Sequence, residues 1–150
     1  MKYDVVDKLI EYIKGTKAIF SEDEYQMIRS SIGLIIESPP QTAGAVFSRC
    51  ERLTASSMDI SWIILSLNRI RLKLENSLKS IKDPEFVLLV RQGRPSTQAI
   101  ESEIRMSKDS VMQLENDIQE IDNLIVYFNS LERNIDRYIR TSKDKISFLK

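Results

Sequence analysis

Seven basic residues near the middle of the chain are the side chains best suited to bind a ligand. Lysine and arginine neutralise phosphate oxygens, and a group of them can hold the backbone of a flexible single strand. Arg69 and Lys73 lie four residues apart and so share one helix face, whereas Arg71 lies about 200° from Arg69. The predicted nucleic-acid-binding residues are Arg69, Arg71, Lys73, Lys79 and Lys82 in "NRIRLKLENSLKSIK", with Arg91 and Arg94 in "VRQGRPST".

A simpler interpretation is that these cations are solvated and pair with an acidic helix opposite them. Aromatic side chains for base stacking, the second mark of single-strand binding, are few, because only Trp62 and Phe86 are near. We expect Trp62 to lie in the core or in a contact between subunits. The sequence leaves both interpretations of the basic residues open.

No arrangement typical of catalysis is present in the sequence. Histidine, the commonest general base and metal ligand, is absent, so the single cysteine, Cys50, has no histidine to activate it. The sequence also lacks a glycine-rich phosphate loop, a paired-cysteine motif and a metalloprotease motif. We therefore expect a protein that is not an enzyme and needs no cofactor or metal, with Cys50 buried or inert.

The charges are segregated along the chain although they sum to zero. Residues 49–82 carry seven basic and three acidic side chains, a net charge of +4. Residues 96–136 carry three basic and nine acidic ones, a net charge of −6, and residues 137–150 carry five and one, a net charge of +4. A zero net charge argues against a nucleic-acid binder, but segregated charge can still form a basic surface. The last basic band can contact nucleic acid, an acidic partner or an anionic surface, or simply complement the helix dipole.

Apolar residues recur every three or four positions through most of the chain, as in amphipathic helices. Only four glycines and four prolines interrupt this pattern in 150 residues, so we expect an all-α protein. Two short helices are predicted in an N-terminal helical segment, residues 1–40. The first ends near Gly15, and the second begins at a capping box of Ser21 and Glu24 and ends at Pro39–Pro40.

Residues 41–150 are predicted to form a helical hairpin domain. Its first helix runs from about Thr42 to Lys82, and Asp83–Pro84 should end it. A loop is expected at about residues 83–96, with "EFVLLV" as either a strand or a turn of helix. In this loop Gly93 tolerates a positive φ, and Ser96 is a good N-cap for the next helix.

The last third of the chain has the most regular pattern. From Ile100 to Leu149, apolar residues follow at alternating intervals of four and three, interrupted only at Ser107, Glu132 and Ser142. Seven such heptads predict one long coiled-coil helix, which needs the preceding helix as its antiparallel partner. The isoleucine-rich seam also fits association of several chains into a homo-oligomer.

The sequence predicts neither a secretion signal nor a membrane span. Acidic residues interrupt the N-terminal stretch "MKYDVVDKLIEYIKG" where a signal peptide needs an apolar core. The longest nearly apolar run, "ISWIILSL", is too short to cross a bilayer. We expect a soluble, cytoplasmic protein with no membrane partner.

The order of a basic helix, a "GRPST" segment and "AIESEIRMSKDSVMQLENDIQEIDNLIVYFNSLERNIDRYIRTSKDKISFL" resembles the phage UvsY-type recombination mediator family. The shared features are the Gly-Arg-Pro-Ser/Thr start, the acid-flanked apolar stretch, Tyr127 and Phe128 near its middle, and the basic last turn with Arg137 and Arg140. The resemblance covers roughly residues 50–150. This chain differs in carrying "KDPEFVLLV" where better-known members have a shorter, tyrosine-bearing stretch.

The resemblance implies an accessory factor of phage homologous recombination and repair, located in the host cell cytoplasm. Such a protein binds single-stranded DNA, assembles as a ring-like homo-oligomer, and helps a RecA-like recombinase displace the single-strand-binding protein. The positions that match the family's DNA-binding residues are Arg69, Arg71 and Lys73. The alternative is a coiled-coil scaffold or assembly chaperone with no nucleic-acid role, which also explains the seam and the charge bands.

Overall fold

The computed structural model describes residues 2–93 and 96–149, with the side chains of residues 4–93 and 96–145. The described residues form five α-helices and no strand, which confirms the predicted all-α class. None of these helices combines the length and the apolar character needed to cross a membrane. The helices are α1 (Lys2–Lys14), α2 (Glu22–Ile36), α3 (Ala43–Arg91), α4 (Thr97–Ser107) and α5 (Asp109–Leu149).

Helices α3 and α5 form the predicted antiparallel hairpin. Ser61 of α3 donates a hydrogen bond to Glu132 of α5 at 2.7 Å, whereas Lys82, further along α3, lies 3.0 Å from Glu115, which is earlier in α5. The 49 residues of α3 span about 74 Å. The seam between the two helices is coiled-coil-like, as the heptads predict. Its buried side chains include Leu53, Ile60, Ile63 and Leu67 of α3 and Ile121, Leu124, Phe128 and Ile135 of α5.

The two N-terminal helices join this hairpin through one hydrophobic cluster with residues of α1, α2, α3 and α5. The predicted capping box at the start of α2 is confirmed. Ser21 Oγ accepts a hydrogen bond from the Glu24 N–H at 3.2 Å, and Glu24 accepts one from the Ser21 N–H at 3.1 Å. Arg29 of α2 forms an ion pair with Asp7 of α1, which links the two short helices.

A buried arginine ties the end of α2 to α3 and α5. Arg49 of α3 is only 3% exposed, and its guanidinium group lies 4.6 Å from the centre of the Tyr138 ring in α5. The last carbonyl groups of a helix have no partner within the helix and carry partial negative charge, so this cation caps α2. Arg49 donates to the carbonyl oxygens of Leu34 (3.0 Å), Ile35 (3.3 Å), Glu37 (3.2 Å) and Ser38 (3.1 Å).

The predicted break at Asp83–Pro84 is wrong, because α3 continues through Pro84 to Arg91. Proline lacks the N–H that would bond to the Ser80 carbonyl, which weakens the helix locally. Tertiary packing outweighs this cost, since "EFVLLV" is helical and contributes to a second hydrophobic cluster. That cluster consists of Leu89, Ile100, Ile104 and Val111, with Leu78, Ile81 and Phe86 against it.

The connection after α3 is therefore shorter than the loop predicted at residues 83–96. It begins at Gln92, and Gly93 has the expected positive φ, +80°. Ser96 caps α4 as predicted, because its hydroxyl accepts a hydrogen bond from the Ala99 N–H at 3.1 Å. Residues 94 and 95 lie outside the described part of the chain.

The single helix predicted from Ile100 to Leu149 is interrupted at Lys108, whose φ of −127° and ψ of 101° are not helical. The interruption follows Ser107, one of the polar residues in the predicted seam. A serine gains no free energy from burial in an apolar seam. The Ser107 hydroxyl instead donates a hydrogen bond to the Ile104 carbonyl oxygen at 3.2 Å. A residue of this kind is a weak point in an otherwise apolar heptad pattern.

Candidate nucleic-acid interface

The side of α3 that faces away from α5 carries most of the predicted cations. Arg69 follows the buried Leu67 by two residues, which places it about 200° round the helix from the seam. All the side chains of this surface are exposed. We define the outer face of α3 as Met58, Trp62, Leu65, Arg69, Leu72, Lys73, Lys79 and Arg91.

Four cations of the outer face have no acidic partner in the described part of the chain. No carboxylate of the described residues forms an ion pair with Arg69, Lys73, Lys79 or Arg91. The prediction that Arg91 lies in the loop is wrong, because it is the last residue of α3. Because Lys79 and Arg91 lie on the same helix, they are separated by about 18 Å along its axis. The four cations therefore form a stripe about 33 Å long.

An aromatic side chain adjoins this stripe. Trp62 is 49% exposed, so it does not lie in the core of the chain. The guanidinium group of Arg69 lies 5.9 Å from the centre of its ring, a cation–π distance. The exposed part of the indole is available to a flat ligand, such as a base, or to another protein surface.

Arg71 and Lys82 face α5 and are neutralised by acidic side chains. Arg71 lies 2.6 Å from Asp122 and 3.2 Å from Glu75, as the simpler interpretation of the cations predicts. Lys82 lies 3.0 Å from Glu115. The seventh predicted residue, Arg94, lies outside the described residues.

Glu115 is the centre of an ion cluster between three helices. Lys82 of α3 contacts one of its oxygens, and Arg105 of α4 contacts the other at 2.9 Å. Burial alone would raise the pKa of Glu115, but the hydrogen bonds and charges of Lys82 and Arg105 outweigh it and hold the pKa below its ordinary value. This cluster is structural, since it holds α4 against the α3–α5 pair.

A second group of cations was not among the predicted site residues. Arg133, Arg137 and Arg140 line an open cavity of about 250 Å³ on α5, together with Asp136. Their spacing of four and three residues is visible in the sequence and indicates one helix face. Arg137 and Arg140 belong to the last basic band, for which contact with nucleic acid, an acidic partner or an anionic surface was predicted as one alternative, whereas Arg133 precedes that band. No cluster of histidine, cysteine or acidic residues suited to a metal ion occurs in the described part of the chain.

Cys50 is buried, as one part of its prediction states. No protein-family model, curated protein or solved structure matches the chain significantly. The resemblance to the UvsY-type mediators thus rests on the order of motifs in the sequence alone.

Proposed function

We propose that the chain binds single-stranded DNA along the outer face of α3 and acts as a recombination mediator. The observation that supports this most directly is the division among the predicted cations. Arg71 and Lys82 are neutralised by the acidic residues of α5 and Glu75, whereas the four cations of the outer face have no such partner. Unpaired cations along one helix are free to replace the counterions of a phosphate backbone.

Trp62 supports a single strand rather than a duplex as the ligand. The bases of a single strand are free to stack on an aromatic ring, and one such contact contributes about 1–3 kcal/mol. Trp62 is half-exposed and lies next to Arg69, so a base on the indole would bring its phosphate close to that arginine. The bases of a duplex are already stacked and cannot use this contact.

The mediator role is the finer part of the proposal and comes from the resemblance described above. On this proposal, the chain forms a ring-like homo-oligomer on the strand. It then helps a RecA-like recombinase replace the single-strand-binding protein.

The test combines two optical signals from one titration. Fluorescence anisotropy of a labelled single strand reports all binding, and the fluorescence of Trp62 reports binding at the outer face, because it is the only tryptophan. We expect binding that favours single strands over duplex, falls steeply with salt, and quenches Trp62. Replacing Arg69 and Lys73 with alanine should lower the salt slope by about 1.4, since each phosphate contact on a single strand contributes about 0.7.

The matched control is Lys8→Ala with Lys17→Ala, which removes two exposed charges from the N-terminal segment. An outer-face variant that binds as tightly as this control would refute the assignment of the site. If the wild-type protein binds the strand but does not speed recombinase loading onto a strand coated with single-strand-binding protein, the mediator role is refuted while DNA binding stands.

The alternative, a coiled-coil scaffold or assembly chaperone, is favoured by one observation on the same surface. Met58, Leu65 and Leu72 are 73%, 44% and 57% exposed and lie seven residues apart. Trp62 lies four residues after Met58 and three before Leu65, so it belongs to the same heptad pattern. Such a stripe can bury itself against another helix. Light scattering of a scaffold would show the same oligomers with and without DNA. The Leu65→Glu substitution would dissociate these oligomers to the same extent whether or not nucleic acid is present.

A further inference from the structure

The far side of α5 carries three arginines on one helix face. Arg133, Arg137 and Arg140 follow at intervals of four and three, and all three are exposed. Arg137 lies nine residues, or two and a half turns, beyond Phe128, which is fully buried in the seam. This α5 arginine cluster therefore faces away from α3, on the opposite side of the hairpin from the outer face.

The described part of the fold uses none of these three charges in an ion pair. Among the described residues, no carboxylate forms an ion pair with any of them, and the neighbouring Asp136 leaves a net charge of +2. Like charges three and four residues apart repel each other along a helix. Asp136, three residues from Arg133 and four from Arg140, offsets only part of this repulsion, and a negatively charged ligand would neutralise the remaining positive charge.

The surroundings of the cluster favour a phosphate backbone as this ligand. A guanidinium group presents a planar fork of donors that matches two phosphate oxygens. Arginine also anchors protein partners, but generally beside aromatic or apolar side chains, and this cavity is lined only by arginine and aspartate. The nearest exposed apolar residue on this face, Val126, precedes Arg133 by seven positions, about 10 Å.

We propose that the α5 arginine cluster is a second phosphate-binding site, which binds the backbone of a nucleic-acid strand. The cluster and the outer face of α3 are separated by two helix diameters, about 20 Å in total. One chain would therefore hold two strand segments on opposite sides. The two-segment arrangement rests on the proposed function, whereas the cluster can be tested without it.

The test uses hexathymidylate with a fluorescent label, at low salt, and a set of full-length variants. The cluster variant is Arg133→Gln with Arg137→Gln, and the control of equal charge is Lys8→Gln with Lys17→Gln. Each is made in the wild-type protein and in the Arg69→Ala, Lys73→Ala background. Circular dichroism checks that all variants remain helical, which we expect because the replaced side chains are exposed.

In the wild-type background, the cluster variant should lower the number of hexamers bound per chain from two to one and leave the quenching of Trp62 unchanged. In the outer-face background, it should weaken the remaining binding about 20-fold at 0.1 M salt, as expected for two lost phosphate contacts. The control should change neither result. Sites that are far apart and share no ligand should give additive effects.

A cluster variant that binds two hexamers, or that matches the control in the outer-face background, overturns the proposal. So does a variant that keeps its nucleic-acid binding but loses binding to a polyglutamate peptide, because an acidic protein would then be the partner. If the outer-face substitutions have no effect while the cluster substitutions do, the proposed site on α3 fails and the second site stands.

Discussion

Among the charged side chains, Arg49 is the one whose removal should destabilise the fold most. The Arg49→Ala substitution deletes a buried guanidinium group that donates to four carbonyl oxygens and stacks on Tyr138. Its loss frees the end of α2 from α3 and α5. It also leaves the Leu34 carbonyl, at a buried residue, without its charged donor.

The loss of stability depends on how many of these four carbonyl oxygens can bond to water once the guanidinium group is removed. A hydrogen bond to a charged group contributes about 1.5–3 kcal/mol, and a buried group left without a partner costs about 1–3 kcal/mol. Glu37 and Ser38 are exposed, so their carbonyls regain hydrogen bonds from water. The carbonyls of Leu34 and Ile35 lie at buried and half-buried residues and account for most of the loss. We expect the free energy of unfolding to fall by about 3–4 kcal/mol, and the melting temperature by about 10 °C.

Urea unfolding followed by circular dichroism measures this loss directly. The control is Arg52→Ala, three residues further along α3, where the exposed side chain has only a long ion pair of 3.8 Å with Glu37. That substitution should cost less than about 1 kcal/mol. Arg49→Lys should fall between the two, because an ammonium group cannot reach all the carbonyls or stack on Tyr138. Equal stabilities of the Arg49→Ala and Arg52→Ala variants would show that the guanidinium cap contributes nothing.

Two further substitutions test charges inside the hairpin. Asp117 is 5% exposed and accepts a hydrogen bond from Gln113, but it has no ion pair in the described part of the chain. Because burying an unpaired charge is costly, Asp117→Leu should raise the free energy of unfolding by about 1 kcal/mol in a denaturant titration. A lower stability of that variant would contradict this. Because Lys82 and Arg105 lower the pKa of Glu115, its contribution is present above the ordinary glutamate pKa of 4.5 and is lost as the pH falls through the lower folded value. Unfolding from pH 7 to 3 should therefore show wild type more stable than Glu115→Gln at neutral pH, with a gap that closes in acid; a constant gap would refute it.

The features predicted correctly from sequence are those that depend on neighbours along the chain. The capping box at Ser21 and Glu24, the N-cap at Ser96 and the positive φ of Gly93 each involve residues within three positions. The seam of α3 and α5 also follows from local spacing, because two apolar stripes with the same period bury each other. Arg49 could not be predicted in this way, since its partners lie eleven to fifteen residues away at a helix end that only the fold defines.

The two errors in the helix boundaries have opposite physical causes. At Pro84 the local signal for a break is strong, but packing of the following residues against α4 and α5 outweighs it. At Lys108 the local signal for a break is weak, and the exposed Ser107 adds no burial that would oppose a break, although α5 continues through the other polar seam residues, Glu132 and Ser142. Local propensity thus decides helix ends only where tertiary packing is neutral.

The sequence predicts in part which basic residues are paired and which are not. Arg71 follows Ile70 of the seam, so it lies at the edge of the contact, where a coiled coil pairs charges across its helices. The acidic band opposite supplies Asp122. Arg69 and Lys73 point away from that band, so the acidic side chains of α5 do not neutralise them within the hairpin. The seam therefore decides which cations are paired among the described residues, and we propose that the unpaired ones on α3 and on α5 bind a ligand from outside the chain.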